Sequence, residues 1–304
     1  MQTEMEVEMR TYRIFSDSSC DLPDILLTDY RIELVPFYVS FDQVNYYKEN
    51  VDISKEAFYK TLKSGDIHAV TFLPSANDYI SRFKPALKEG CDILCLCLSQ
   101  NLSGSYQSAL NAKQILENQY PDSKIHVIDS TQATGGQGLL LLQLAAMQKA
   151  GFTLDEAVRK AGILKKTARI MFTLDTLEYL SKGRRIGKVI SLAKDFLDLK
   201  PLIQLKESEL IPYSNVRGRK KALDKVLAMV SEHFHETGEN PSEYEFCILD
   251  ATTEDDADYL QRKLETYLGR KLNLPVFRIG VTIGAYTGPG AIGICFIKHY
   301  NYIQ

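Results

Sequence analysis

The sequence predicts an α/β protein of two domains: an N-terminal domain on a parallel sheet, and a C-terminal α/β domain on a mixed or largely antiparallel sheet. Three observations predict it. At roughly 150 residues per domain, 304 residues suggest two. The first half alternates short strand-like runs with helical runs, the pattern of a parallel sheet covered on both faces. The second half opens on a hairpin and ends on strands.

Taken in order, Thr11 to Phe15 reads as a strand and Ile32 to Phe41 as a second. Lys55 to Ser64 and Ala76 to Lys88 carry helical spacing. Asp92 to Leu98 is a strand, Ser105 to Asn118 a helix, and Lys124 to Ile128 a strand. Gly138 to Ala150 is a helix apolar enough to pack deep against the sheet. This half is Rossmann-like in its alternation. Phe152 to Thr167 forms another helix, and Arg169 to Thr173 a strand. Pro201 to Lys206 and Glu209 to Tyr213 form the hairpin. Leu223, Val226, Leu227, Val230 and Phe234 make Arg219 to Phe234 an amphipathic helix. Glu243 to Leu249 is a strand, and Glu254 to Leu268 repeats the helical pattern. Val276 to Ile283 and Ala291 to Ile297 are the closing strands. The boundary falls near residue 165, giving domains 1–165 and 166–304. No Pro/Ser/Gly-rich linker marks it, so a tight interface is expected.

Composition narrows the function. Lys+Arg is 36 and Asp+Glu 39, a formal charge of −3, which excludes a mainly electrostatic nucleic-acid binder. A hydrophobic content of 45% with 25% charged is enough to bury a core and excludes bulk disorder. No apolar run approaches the roughly 18 residues of a membrane span. The opening MQTEMEVEMR lacks an apolar signal core and reads as a frayed lead-in to the first strand. A cytoplasmic protein is expected. Cys91, Cys95 and Cys97 share strand parity with Ile93. Without C-x-x-C pairs they read as buried free thiols, as do Cys20, Cys247 and Cys295. No metal site is expected.

Five segments carry candidate chemistry. Ser16-Asp17-Ser18-Ser19 ends the first strand. It either lines a ligand crevice or caps the turn that follows. Ser99-Gln100-Asn101-Leu102-Ser103-Gly104-Ser105 opens a helix with three serines and a glycine, more than capping needs, and suits an anion such as a carboxylate. Val127-Ile128-Asp129-Ser130 with Gly135-Gly136-Gln137-Gly138 lacks the spacing of a phosphate loop. Thr287-Gly288-Pro289-Gly290-Ala291-Ile292-Gly293 matches G-x-G-x-x-G, but a strand follows it, so a tight turn beside a ligand fits better than a dinucleotide site. Lys182 to Arg185 and Arg217 to Lys221 are basic. They are either solvated faces or a docking site for an acidic partner or phosphate. G-x-S-x-G and H-E-x-x-H are absent, and His233 and His235 are two apart on a helix. Catalysis by this chain alone is therefore disfavoured.

SDSSCDLP, LSGSYQSA, VIDS with GGQG, TLEYLSKGRRIG, the R-x-R-K-K-A segment and TGPGAIG occur in that order over roughly residues 12 to 297. Together they resemble the DegV family. The resemblance implies two α/β domains with a long-chain fatty acid between them and no other cofactor. It implies a binding subunit that presents the fatty acid to a separate ATP-dependent fatty acid kinase, forming acyl-phosphate for bacterial phospholipid synthesis. Carried over by motif, Ser103 with Gly104 and the segment from Thr71 through Phe72 serve the carboxylate. So does the turn of Tyr286, Thr287, Gly288 and Gly290. Arg185 and Arg217 serve the kinase partner. The family commonly has His where this chain has Tyr286, a serine where it has Phe72, and a glycine where it has Arg184. Tyr286 keeps an O–H donor but cannot carry a positive charge. The serine-rich strand ends leave two alternatives, a free-standing serine hydrolase of acyl esters and a lipid-bound regulator or scaffold.

Overall fold

The structure, a computed structural model, describes residues 11–64, 68–193 and 198–303. The lead-in over residues 1–10 lies outside them. In chain order the first half comprises β1 (Tyr12–Asp17), α1 (Asp24–Asp29), β2 (Ile32–Val35), β3 (Tyr38–Ser40), β4 (Tyr47–Lys48), α2 (Lys55–Lys63), β5 (Val70–Phe72), α3 (Ala76–Lys88), β6 (Asp92–Cys97), α4 (Ser105–Glu117), β7 (Ile125–Asp129), α5 (Thr134–Lys149) and α6 (Leu154–Leu164). The second comprises β8 (Arg169–Thr173), α7 (Glu178–Lys182), β9 (Leu199–Lys206), β10 (Glu209–Arg217), α8 (Arg219–Thr237), β11 (Tyr244–Asp250), α9 (Glu254–Leu268), β12 (Phe277–Arg278), α10 (Val281–Thr287) and β13 (Ile292–Lys298).

Strands β2-β1-β6-β7 form a parallel four-stranded sheet. Its central strand β6 is buried on both faces, which is why DILCLC reads as continuous rather than alternating. Strand parity sorts its side chains. Ile93, Cys95 and Cys97 join Phe15, Tyr79 and Phe83 under α3 and α4, while Leu94 and Leu96 face the other way. Cys91 is half-buried, the other five cysteines are buried, and all six are free thiols. The expected strand from Ile32 to Phe41 divides at Pro36, which has no N–H to continue the ladder. Beyond it β3 joins a small antiparallel sheet of order β4-β3-β5. The three-residue β5 was too short to register as a period.

Strands β10-β9-β8-β13-β11-β12 form the second sheet. It is antiparallel except for the β11/β12 pair, and so mixed. Phe246, Ile294 and Phe296 on one face meet Val226, Val230 and Leu264 of α8 and α9. The other face meets α5, which lies between the two sheets and is buried almost all round. Its glycines make that possible. A Cβ at Gly135 would sit 2.5 Å from Leu249 Cδ2, and one at Gly138 would sit 2.7 Å from the Cys20 carbonyl oxygen. The GGQG segment therefore belongs to the helix, not to the loop before Gly138 that helix propensity suggests. Close sheet packing outweighs the glycine penalty of roughly 1 kcal/mol each.

The expected strand from Val276 to Ile283 is overturned. Only Phe277–Arg278 pairs with β11, and the chain is helical from Val281. Val-Thr-Ile favours a strand locally, but the Asp21 carboxylate accepts the Gly280 N–H and Glu49 accepts that of Thr282. Two long-range acceptors thus start a helix that propensity would not. Gly288, at φ 75 and ψ 176, ends it in a region only glycine adopts readily. Among the described residues no helix is long and apolar enough to cross a membrane. No cluster of His, Cys, Asp and Glu among them could hold a metal ion.

Candidate ligand cavity between the two sheets

The order β2-β1-β6-β7 reverses direction between β1 and β6, the point at which open α/β sheets place their binding crevice. Asp17, at the carboxyl end of β1, fills that crevice itself. One oxygen accepts the Leu98 N–H at 2.9 Å and the Ser105 hydroxyl at 2.8 Å. The other accepts the Ser19 hydroxyl at 2.6 Å and the Gln137 side-chain amide at 2.9 Å. Burial pushes its carboxyl up, and these four donors pull against that. SDSS is therefore a brace. It fixes the start of the Ser99–Ser105 loop and the turn into α4, and so the position of Ser103.

Ser103 faces a cavity running between the halves. From the first half Phe37, Thr71, Leu73, Leu98, Leu102, Ser103, Ala133 and Thr134 line it. From the second, Ile170, Phe172, Leu180, Leu205, Leu210, Leu249, Ile279, Ile283, Ala291 and Ile292 line it, with Arg185, Thr282, Tyr286 and Thr287. Leu205 and Leu210 flank a two-residue hairpin turn in which Glu207 and Ser208 both take positive φ. The Ser208 N–H donates to Thr131 of the first half, which holds that turn in place.

The polar side chains gather. Thr71 Oγ1 lies 2.6 Å from Tyr286 Oη. Whichever donates, the other keeps a hydrogen to give to a ligand. Ser103 Oγ accepts the Ser105 N–H at 3.2 Å, which leaves its own hydrogen free. The Arg185 guanidinium stacks 4.6 Å over the Tyr286 ring and donates to the carbonyl oxygens of Gly183 and Leu102. Two free hydroxyl hydrogens and one cation beside an apolar passage are the complement of a carboxylate on an alkyl chain. Among the described residues no histidine or cysteine lines the cavity, and the hydrogen-bond partner of the Ser103 hydroxyl is a backbone amide, not a base.

Several expected residues fall elsewhere. Thr71 and Phe72 are neighbours on β5, so they face opposite sides. Phe72 turns outward, 39% exposed, with its ring edge-on to Tyr46 at 4.7 Å. Gly104 lies on a solvent-open groove beside the cavity, with Asn101, Arg184 and Lys188. Gly288 and Gly290 are not lining residues. Gly288 admits the Tyr179 ring and Gly290 the Asp175 carboxylate, so these glycines let the turn pack against the residues around α7. Gly183 likewise admits the Tyr286 ring. Arg217 is exposed at the end of β10. Its neighbour Arg219 pairs with Asp256 at 2.7 Å and donates to the Gly290 carbonyl, so part of the basic run is structural. The apolar lining was missed because no sequence signal separates cavity wall from core. Thr134 and Thr282 were missed for the same reason.

A family model described as "Uncharacterised protein, DegV family" matches residues 11–299. The chain belongs to the DegV family. A DegV domain-containing protein of Clostridium perfringens is 30% identical over 95% of this chain and 98% of its own length. Another, from Caldanaerobacter subterraneus, is 30% identical over 95% of this chain and 99% of its own. Among solved structures, a stearic acid-binding protein from Eubacterium ventriosum has a TM-score of 0.92 and 33% identity, covering 96% of this chain and all of that one. A fatty-acid-binding DegV family protein from Thermus thermophilus has a TM-score of 0.85 and 27% identity, covering 95% of this chain and 99% of that one. The DegV fold accounts for the pairing of a parallel sheet with a mixed one.

Proposed function

We propose that this DegV protein binds a long-chain fatty acid in the cavity between its halves and presents the carboxylate to a separate ATP-dependent kinase. The acyl-phosphate so formed would feed phospholipid synthesis. One observation carries the reading: an apolar passage has the hydroxyls of Ser103, Thr71 and Tyr286 and the Arg185 cation along one part of its wall. Each methylene buried there contributes roughly 0.8 kcal/mol. The polar side chains offset the desolvation of the carboxylate. The relatives described as binding stearic and other fatty acids support the ligand class.

In this reading the chain is a cytoplasmic lipid-binding subunit, not an enzyme, and its domains meet near residue 165, between α6 and β8. Thr287 contributes to the cavity wall beside Tyr286, and Gly104 to the groove outside Ser103. Arg185, with Arg184 and Lys188 on that groove, offers positive charge where a kinase carrying nucleotide phosphates would approach, and exposed Arg217 is a second basic contact for it. Organic extraction of protein purified from cells, followed by mass spectrometry, tests the ligand. A long-chain fatty acid at near one per chain is expected. Protein that carries none and takes up no added stearate would overturn the reading.

A further inference from the structure

Two buried carboxylates lie outside the cavity wall. Glu49 follows β4 and is 1% exposed; Asp21 follows β1 and is 2% exposed. Both come from the first half and grip the second. Glu49 accepts the Thr282 N–H at 3.0 Å, the Thr282 hydroxyl at 2.6 Å and the Ser18 hydroxyl at 2.5 Å. Asp21 accepts the Gly280 N–H at 2.9 Å and the Thr134 hydroxyl at 2.6 Å. They converge so closely that a Cβ on Gly280 would sit 2.4 Å from Asp21 Oδ1 and 2.5 Å from Glu49 Oε1. From α2, Lys55 donates to the Arg278 carbonyl and Tyr59 to that of Ile279, so the same backbone stretch is held from a third side.

This much polar construction exceeds what joining two domains requires, and its position explains it. Thr282 and Tyr286 are four residues apart, one helical turn and about 6 Å along the axis, on the same face of α10. Both line the cavity. Glycines recur at 280, 284 and 288 on the opposite side of the helix, so that side carries no side chain to lock it, and Tyr59 and Tyr179 press directly on its backbone. The carboxylates at the start of α10 therefore decide where its far end, with the Tyr286 hydroxyl, comes to rest.

We infer that Glu49, seconded by Asp21, is a positioning residue for the ligand head group: it holds α10 so that Tyr286 meets Thr71 and the pair can serve a carboxylate. The inference rests on the fatty-acid reading and adds a residue remote from the ligand to its specificity. A residue that only stabilised the fold would matter equally for any ligand of the same shape. A positioning residue matters for the charged head group alone.

The test compares stearate with methyl stearate, each delivered from cyclodextrin, on the full chain and on Glu49→Gln, by equilibrium competition. Glu49→Gln keeps the shape and removes the charge. It is expected to weaken stearate about tenfold, in the range of one hydrogen bond to a charged group, while methyl stearate stays within about twofold. Equal weakening of both ligands makes the role structural and overturns the inference. So does unchanged affinity for both. If Glu49→Gln does not fold, Ser18→Ala, which deletes one hydrogen bond to Glu49 from outside the cavity wall, must show the same split. Failure of the unaltered chain to bind stearate at all would instead overturn the proposed function.

Discussion

The guanidinium of Arg185 lies 4.6 Å over the ring of Tyr286, whose hydroxyl is 2.6 Å from that of Thr71. A residue from the basic run after α7, one from α10 and one from β5 thus form a single polar group. It joins both halves of the molecule and puts a positive charge on the cavity wall.

Tyr286→Phe combined with Ser103→Ala removes two of the hydroxyls without opening a large hole. Stearate affinity is expected to fall ten- to a hundredfold, the range for hydrogen bonds to a charged group. Unchanged affinity by isothermal titration would defeat the carboxylate assignment.

The two basic positions should separate. Arg217→Glu alters an exposed side chain and should leave stearate affinity intact while reducing support of a kinase. Arg185→Glu places a carboxylate in the cavity wall and should weaken stearate by more than about tenfold as well. Equal lipid affinity in the two variants would return Arg185 to a purely external role.

Asp17→Ala would remove the acceptor that four buried donors share, those of Leu98, Ser105, Ser19 and Gln137. At about 1–3 kcal/mol for each buried unsatisfied group, a loss of at least about 3 kcal/mol in urea unfolding is expected. A smaller loss would mean that the loop carrying Ser103 does not depend on this brace.

Gly135→Ala sets a methyl 2.5 Å from Leu249 Cδ2, with Cys247 and Cys295 sulfurs at 3.1 and 3.3 Å. Overpacking of this kind costs about 1–3 kcal/mol, against the usual gain from Ala over Gly in a helix. A lowered melting temperature is expected, and a raised one would show that α5 can shift away from the second sheet.

Burial raises the Asp21 carboxyl to about 7, against the pull of Lys55 and with the Glu49 charge adding to the rise. A carboxyl in an unfolded chain titrates near 3.9. Between these values the folded protein keeps a proton that the unfolded chain has released. The contribution of Asp21 to stability is therefore full below about pH 4 and is lost as pH rises toward 7. The difference in unfolding free energy between the unaltered chain and Asp21→Asn should decline over that window by up to about 1.4 kcal/mol per pH unit. A flat difference would show that Asp21 is ionised throughout.

Local pattern was enough to read most of the fold. Ala76–Lys88, Arg169–Thr173 and Glu254–Leu268 have the bounds that their periodicity predicts. The parity of Ile93, Cys95 and Cys97 placed them on one buried face. The serine-rich loop was legible as a candidate anion site because three hydroxyls and a glycine at a helix start exceed what capping needs. The motif sets Phe72 beside Thr71 in sequence, whereas the strand sends the two to opposite sides. The glycines of TGPG signal only that something comes close, and the structure brings Tyr179 and Asp175 there.

The sequence by itself determined the two halves, most of their longer elements, the absence of a basic excess and the hydroxyls of Thr71, Ser103 and Tyr286. Tertiary structure alone decided that α10 is a helix, that GGQG lies inside α5 and that Arg185 reaches the cavity wall. The reason is range. Periodicity records which side of an element avoids water, and a leucine facing a cavity avoids it as fully as one facing the core. Whether Leu98, Ile170 and Leu249 surround a passage or fill it depends on how far apart the two sheets stand. That spacing is set by α5 between them and by contacts such as Glu49 with Thr282, 233 residues apart in the chain.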